Sequence, residues 1–204
     1  MEKMTKRKLQ AITSRKNILD TAHQLTIEKG FDQISIQEIC KTAGVSTGAF
    51  YHYFKSKDEI ILAWYESIDE FYRTDVIPKI QEKTNLTAIE KICLYLREMA
   101  EQAEHFGVTF IRQLYRAQLG VGNTAFLYME RALPDGLRDL IMEGQKAGTI
   151  ITDCSAEVIK EELLVIMRGT ILRWCMCNGG FGLAEEAENM MKRYLNAVAA
   201  VKKS

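Results

Sequence analysis

The chain has 204 residues, 27 basic against 27 acidic side chains, and only two prolines. That length can bury a sizeable core in one or two domains, and frequent Ala, Leu, Ile, Glu, Lys and Met point to a mostly helical protein. No apolar run reaches the length of a membrane span, Met1–Gln10 is polar and basic rather than a signal segment, and five cysteines argue against a disulfide framework, so a cytoplasmic protein with no membrane partner is expected.

Neutrality hides an uneven distribution. Residues 1–58 hold ten Lys or Arg against six Asp or Glu, and the remainder carries the compensating negative surplus. A basic head on an acidic body suits contact of the head with nucleic acid. Residues 1–12 read as a flexible basic arm with Lys3, Lys6, Arg7 and Lys8. Ser14 is positioned to cap a first helix ending at Lys29, with Ile18, Ala22 and Leu25 as its inner stripe and Gly30 just past its end.

Ser35-Ile36-Gln37-Glu38 has the pattern of a capping box, flanked by Ile34 and Ile39 as a hydrophobic staple. A short helix from Ile36 to about Ala43 follows. Gly44-Val45-Ser46 is a tight turn, with Ser46 capping a second short helix. On that helix Phe50 and Phe54 lie one turn apart and face inward. Thr47 and Tyr51 form a second stripe, Gly48 and His52 a third. Small residues at the helix start, then Tyr51, His52 and Tyr53, then Lys55 and Lys57, match what the phosphate-lined major groove of DNA asks for. Ser56-Lys57-Asp58-Glu59 repeats the capping-box pattern, so the next helix is expected to start at Lys57.

Residues 11–60 as a whole resemble the tetracycline-repressor family of transcriptional regulators. The resemblance rests on Gly30-Phe31, Ser35-Ile36, Ile39, Ala43-Gly44-Val45-Ser46, Gly48, Phe50-Tyr51-His52-Tyr53-Phe54 and Lys55-Ser56-Lys57-Asp58-Glu59. It implies an all-α protein: a three-helix helix-turn-helix head over residues 1–56, and a helical effector-binding and dimerisation body over 57–204. It implies a homodimer on double-stranded, near-palindromic operator DNA, released by a small effector, and backbone phosphate contacts at Tyr51 and Lys57. The expected DNA-binding set is Ser35, Gln37, Ser46, Thr47, Gly48, Tyr51, His52, Tyr53, Lys55 and Lys57, with Thr47, Gly48 and Gln37 nearest the bases.

In the body, a helix carrying Ile60, Trp64, Ile68 and Phe71 is expected to connect it to the head, until Pro78 ends or kinks it. Thr87-Ala88-Ile89-Glu90 is a further capping box, opening a helix to about Glu104. Helices are expected near 107–119, 124–132 and 135–147, the last two separated by Pro134-Asp135-Gly136. Ser155 can cap a helix from Ala156 to about Cys177, and a last helix runs from Leu183 to about Val201. Residues 163–174 are apolar around most of the helix, which calls for burial on more than one side. The resemblance assigns the last two helices to dimerisation, here through Ile159, Leu163, Ile166, Gly169, Met190 and Tyr194.

Aromatic and Met side chains in the body are candidates for an apolar effector cavity: Trp64, Met99, Phe110, Phe126 and Met129, with His105, Arg112 and Arg116 as orienting polar groups. Plain core packing is the competing explanation for each. The alternative is a redox- or metal-responsive regulator sensing through Cys175 and Cys177. No cofactor and no resident metal is expected. An enzyme is not expected either, since the chain lacks a nucleophile elbow, a Walker loop, a paired helical His and a dinucleotide fingerprint. The Gly179-Gly180 turn is followed by Glu185, Glu186 and Glu188, which would repel a phosphate.

Overall fold

The computed structural model describes residues 6–121 and 131–200. The helices are α1 (Lys6–Lys29), α2 (Ile36–Ala43), α3 (Thr47–Tyr53), α4 (Glu59–Phe71), α5 (Ile77–Gln81), α6 (Ala88–Phe106), α7 (Val108–Val121), α8 (Ala132–Lys146), α9 (Ala156–Met176) and α10 (Leu183–Val198). Among the described residues there is no strand, only one isolated antiparallel bridge between Ile150 and Ala199. The fold is all-α with an N-terminal helix-turn-helix, as expected. The expected helix near 124–132 falls almost wholly outside the described residues, and Phe126 and Met129 fall there too.

The chain divides into two compact units. One comprises Met1–Glu66 with Thr109–Leu127, the other Ser67–Val108 with Tyr128–Ser204. These units do not follow the expected division at 56/57, because nearly all of α7 packs with the N-terminal helices. In the first unit Ile18, Ala22, Ile39, Phe50 and Ile60 are fully buried. Each Ile or Phe among them contributes about 1.5–3 kcal/mol of apolar burial, an upper-bound figure given a compact unfolded reference. His23, Trp64 and Phe110 form an edge-to-face aromatic cluster, with Phe110 4.3 Å from His23 and 4.7 Å from Trp64 between ring centres. Arg116 of α7 pairs with Asp32 at 2.8 Å.

Local signals held at most helix ends. Gly44 ends α2 in the left-handed conformation (φ 67°), and the Oγ atoms of Ser46 and Ser155 accept from the backbone N–H groups of Ala49 and Val158. Thr87 and Glu90 complete both halves of their box. The box at Ser35 is half made: Ser35 accepts from the Glu38 N–H, but the Glu38 carboxylate turns to Lys29. Three expectations are corrected. Helix α1 starts at Lys6, so Ser14 lies inside it. Helix α4 starts at Glu59, so Lys57 precedes it, and the Glu59 carboxylate accepts from the Lys55 N–H at 2.8 Å. Pro134 and Gly136 lie in the first turn of α8 rather than before it. Proline is tolerated there because early helical N–H groups have no partner within the helix.

Pro78 neither ends nor sharply breaks its helix. The chain passes from α4 into a π-helical segment, Tyr72–Val76, and then into α5, with the Ile77 N–H donating to the Tyr72 carbonyl. The wider turn absorbs the donor that Pro78 lacks.

The second unit is a bundle in which α6 packs on α8 and α10, and α9 on α8 and α10. Two of its helix starts are capped from a distance. The Asp69 carboxylate accepts from the N–H groups of Ala132 and Leu133, and Glu104 accepts from those of Leu183 and Ala184. Gly136 allows a close approach: a Cβ there would lie 2.6 Å from the Tyr95 hydroxyl and 2.8 Å from Ile77 Cδ1.

Candidate nucleic-acid interface

Helix α3 is short and cannot be stable by itself. It is held by Phe50 and Phe54, whose rings lie 5.5 Å apart and are almost wholly buried. At helical spacing this inward face turns Thr47, Gly48, Tyr51 and His52 outward, and all four are exposed. The Tyr51 ring rests edge-on against Phe50 at 5.6 Å. Ser35, Gln37, Ser46 and Lys55 are exposed as well, and Tyr53 is half-buried with its ring 5.0 Å from His52. One face therefore presents hydroxyls, an imidazole, an amide and a cation around the exposed N-terminus of α3. A Cβ added at Gly48 would meet only Ser46 Oγ, at 3.8 Å. Burial pushes the buried Cys40 thiol up, while a hydrogen bond with Thr47 works against that shift and links α2 to α3.

Lys57 departs from its expected role. Its ammonium donates to the carbonyls of Phe31 (2.9 Å) and Ile34 (3.1 Å), with Asp32 O at the 3.5 Å limit, and lies 4.8 Å from the centre of the Phe31 ring. It ties the turn after α1 to the approach to α4. A phosphate would have to compete with these internal acceptors.

The described members of the expected effector set are divided between the two units. Trp64 and Phe110 are buried together in the first unit, packed as core, and Met99 is half-buried on α6 in the second. His105 and Arg112 are exposed, and Arg116 is engaged by Asp32. The second unit instead holds a half-open cavity of about 180 Å³ bounded by Ile77, Ile80, Tyr95, Gly136 and Leu140 among others. Sequence periodicity gives no sign of it, since its walls come from α5, α6 and α8.

The dimer expectation also shifts by face. Ile159 and Leu163 are fully buried within the chain itself, so neither is available to a second copy. Ile166 and Met190 are half-buried, the Thr170 hydroxyl lying 3.2 Å from the Met190 sulfur. Tyr194 is half-buried and donates to the Glu162 carboxylate. Gly169 is exposed with open space beside it. The exposed face of α9 carries Val158, Val165, Leu172 and Met176.

Cys175 is buried and Cys177 exposed. Two residues along a helix point about 200° apart, so the two sulfurs do not share a site. Among the described residues no cluster of three or more His, Cys, Asp or Glu could hold a metal ion.

Residues 18–64 match the profile of the bacterial regulatory proteins of the tetR family. Those residues carry a TetR-family regulatory domain, and the comparisons together support a TetR-family transcriptional regulator. It is 29% identical over 162 residues to the transcriptional regulator AcuR of Cereibacter sphaeroides, covering 72% of this chain and 69% of that one. It is 23% identical over 189 residues to the fatty acid metabolism regulator protein of Bacillus subtilis, covering 89% and 93%. Among solved structures, the Thermus thermophilus FadR repressor in complex with lauroyl-CoA superposes with a TM-score of 0.71 at 23% identity, covering 93% of this chain and 97% of that one. That last likeness shows the same all-α fold over 93% of the chain, beyond the 47-residue span of the profile. The relatives named are regulators rather than enzymes. Among the described residues no helix is long and apolar enough to cross a membrane.

Proposed function

We propose that the chain is a homodimeric repressor that binds a near-palindromic operator through α3 and leaves it when a small, largely apolar effector occupies the second unit. The observation that carries the DNA-reading part is the exposed face of α3. Thr47, Gly48, Tyr51 and His52 stand clear of the protein, while Phe50 and Phe54 fix the helix from behind. Thr47 can offer its methyl to a thymine and its hydroxyl to either base partner. Ser46, Gln37, Tyr51 and Lys55 surround it with groups suited to phosphate and base edges, and Ser35 and Tyr53 lie at the margin.

The homodimer is supported by α9. Val158, Val165, Leu172 and Met176 are 46%, 61%, 43% and 77% exposed, far beyond what core residues show. Spacings of seven, seven and four residues place all four on one stripe. Gly169 lies within it, and Glu161, Glu162 and Arg173 flank it. An exposed apolar stripe of this kind is unusual on a monomer, and an exposed glycine within it allows a second helix to come close. Two copies then present two α3 helices to successive major grooves, which is why the operator is a near-palindrome.

Repression with release is supported by the relatives. The FadR structure holds an acyl-CoA, and a fatty acid metabolism regulator is among the similar chains. An effector acts here only through unequal affinity for the DNA-competent and DNA-incompetent states.

The test is binding to a selected operator, followed by fluorescence anisotropy across a salt series. Thr47→Ala is expected to change preference at one or two positions per half-site by roughly 1–3 kcal/mol. Equal weakening on operator and random DNA would remove Thr47 from base reading, and no salt dependence at all would remove DNA as the partner.

A further inference from the structure

The cavity of about 180 Å³ lies wholly within the second unit, and its walls differ in character. Ile77, Ile80 and Leu140 supply its apolar lining. Its acidic lining comes from α8, where Asp135, Asp139 and Glu143 follow one another at four-residue spacing and so share a face. Among the described residues no basic side chain lines it. Three carboxylates therefore border the space, and two cations outside the lining pair with them: Arg138 with Asp135 and Asp139, and Lys91 with Glu143. One negative charge is left over.

Tyr95 sets the polar contact inside. Its side chain is 1% exposed, and its hydroxyl donates its one proton to the Leu133 carbonyl at 2.7 Å. A phenol oxygen with its proton committed has lone pairs left to accept with. Burial pushes the Tyr95 hydroxyl well up, and the charges of Asp69, Asp135 and Asp139 push it further, so the potential at that oxygen is negative. Gly136 brings α8 against Tyr95, because any Cβ would collide with the hydroxyl.

We propose that this cavity is a binding site for a small organic ammonium, with its apolar body against Ile77, Ile80 and Leu140 and its N–H donors toward Tyr95, Asp135 and Asp139. A cavity of about 150 Å³ accommodates a benzene ring, so a single ring or a short branched chain with one amine is the size class. Anionic ligands are disfavoured, because a carboxylate or a phosphate would meet a wall with surplus negative charge. The inference rests on the reading of the chain as an effector-responsive regulator and names the class of ligand for it.

The experiment uses the full chain and three probes of matched size: benzylammonium, benzoate and toluene. Calorimetric titration near neutral pH is expected to show saturable binding of benzylammonium at one per chain, at least tenfold tighter than toluene, and no binding of benzoate. Tyr95→Phe and Asp139→Asn are each expected to weaken benzylammonium about fivefold, in line with one lost polar contact. Asp139 is largely exposed, so its variant keeps the fold and the test stays open if Tyr95→Phe is unstable. Benzoate or toluene binding as tightly as benzylammonium overturns the proposal, as does the absence of any saturable binding, or Asp139→Asn binding like the parent chain. Operator binding of the unliganded chain is measured separately. Failure of the cavity thus leaves the DNA reading standing, and failure of DNA binding leaves the cavity result intact.

Discussion

Replacing Lys57 by Met separates two roles for this lysine that the sequence does not distinguish. The substitution keeps the apolar stem and removes the ammonium. In the structure that ammonium holds the Phe31 and Ile34 carbonyls at 2.9 and 3.1 Å, with the Asp32 carbonyl at 3.5 Å contributing little. It also lies over the Phe31 ring. Hydrogen bonds to a charged group are worth about 1.5–3 kcal/mol, and a partly exposed cation–π contact adds about 0.5–1. Water replaces part of this at a half-buried site, so a net loss of roughly 2–3 kcal/mol is expected. For a chain near 200 residues that lowers the melting temperature by roughly 4–12 °C. Thermal unfolding followed by circular dichroism measures it, and anisotropy against salt measures the DNA side. The expected result is a lower melting temperature with an unchanged salt slope. A melting temperature within 1 °C of the parent, together with a salt slope reduced by about 0.9, would refute this reasoning. It would restore Lys57 as a phosphate contact.

Gly48→Ala should fold as well as the parent or slightly better, since Ala favours a helix over Gly by about 0.5–1 kcal/mol and the new methyl meets only Ser46 Oγ. Its operator affinity should nevertheless fall at least tenfold, and unchanged affinity would show that nothing approaches α3 closely at that point. Leu172→Arg should give monomers with parental helicity in sedimentation velocity, whereas Leu163→Arg should fail to fold because Leu163 is fully buried. Folded dimers from Leu172→Arg would move the interface off this face of α9. Backbone and hydroxyl donors from Thr87 hold the Glu90 carboxyl below its ordinary value. A folded pKa lowered in this way stabilises above the unfolded value and is lost as pH falls through the folded one. Amide exchange at the start of α6 should therefore quicken on acidification past the usual carboxylate range; Thr87→Ala, which keeps the backbone donor, should reduce that pH dependence, and Glu90→Gln should remove it.

The DNA-reading head was legible because its instructions are local. Ser35, Gly44 and Ser46 each act on backbone groups within a few residues, and the Phe50–Phe54 spacing shows directly which side of α3 faces in. The same locality explains the errors. Ser14 and Ser56 have the chemistry of caps, but α1 extends upstream to Lys6 and Lys57 is drawn to carbonyls more than twenty residues back, which no window of sequence shows. Pro134 has the chemistry of a break, yet Asp69, more than sixty residues earlier, caps α8 ahead of it. Periodicity shows that α9 is apolar nearly all round but not which residues the chain buries itself. Packing against α8 and α10 takes Ile159 and Leu163 inward and leaves Val158, Val165, Leu172 and Met176 outside. The inclusion of α7 in the first unit and the cavity at Tyr95 were likewise decided by tertiary structure. Each depends on side chains from helices far apart in the chain, and only packing brings such groups together.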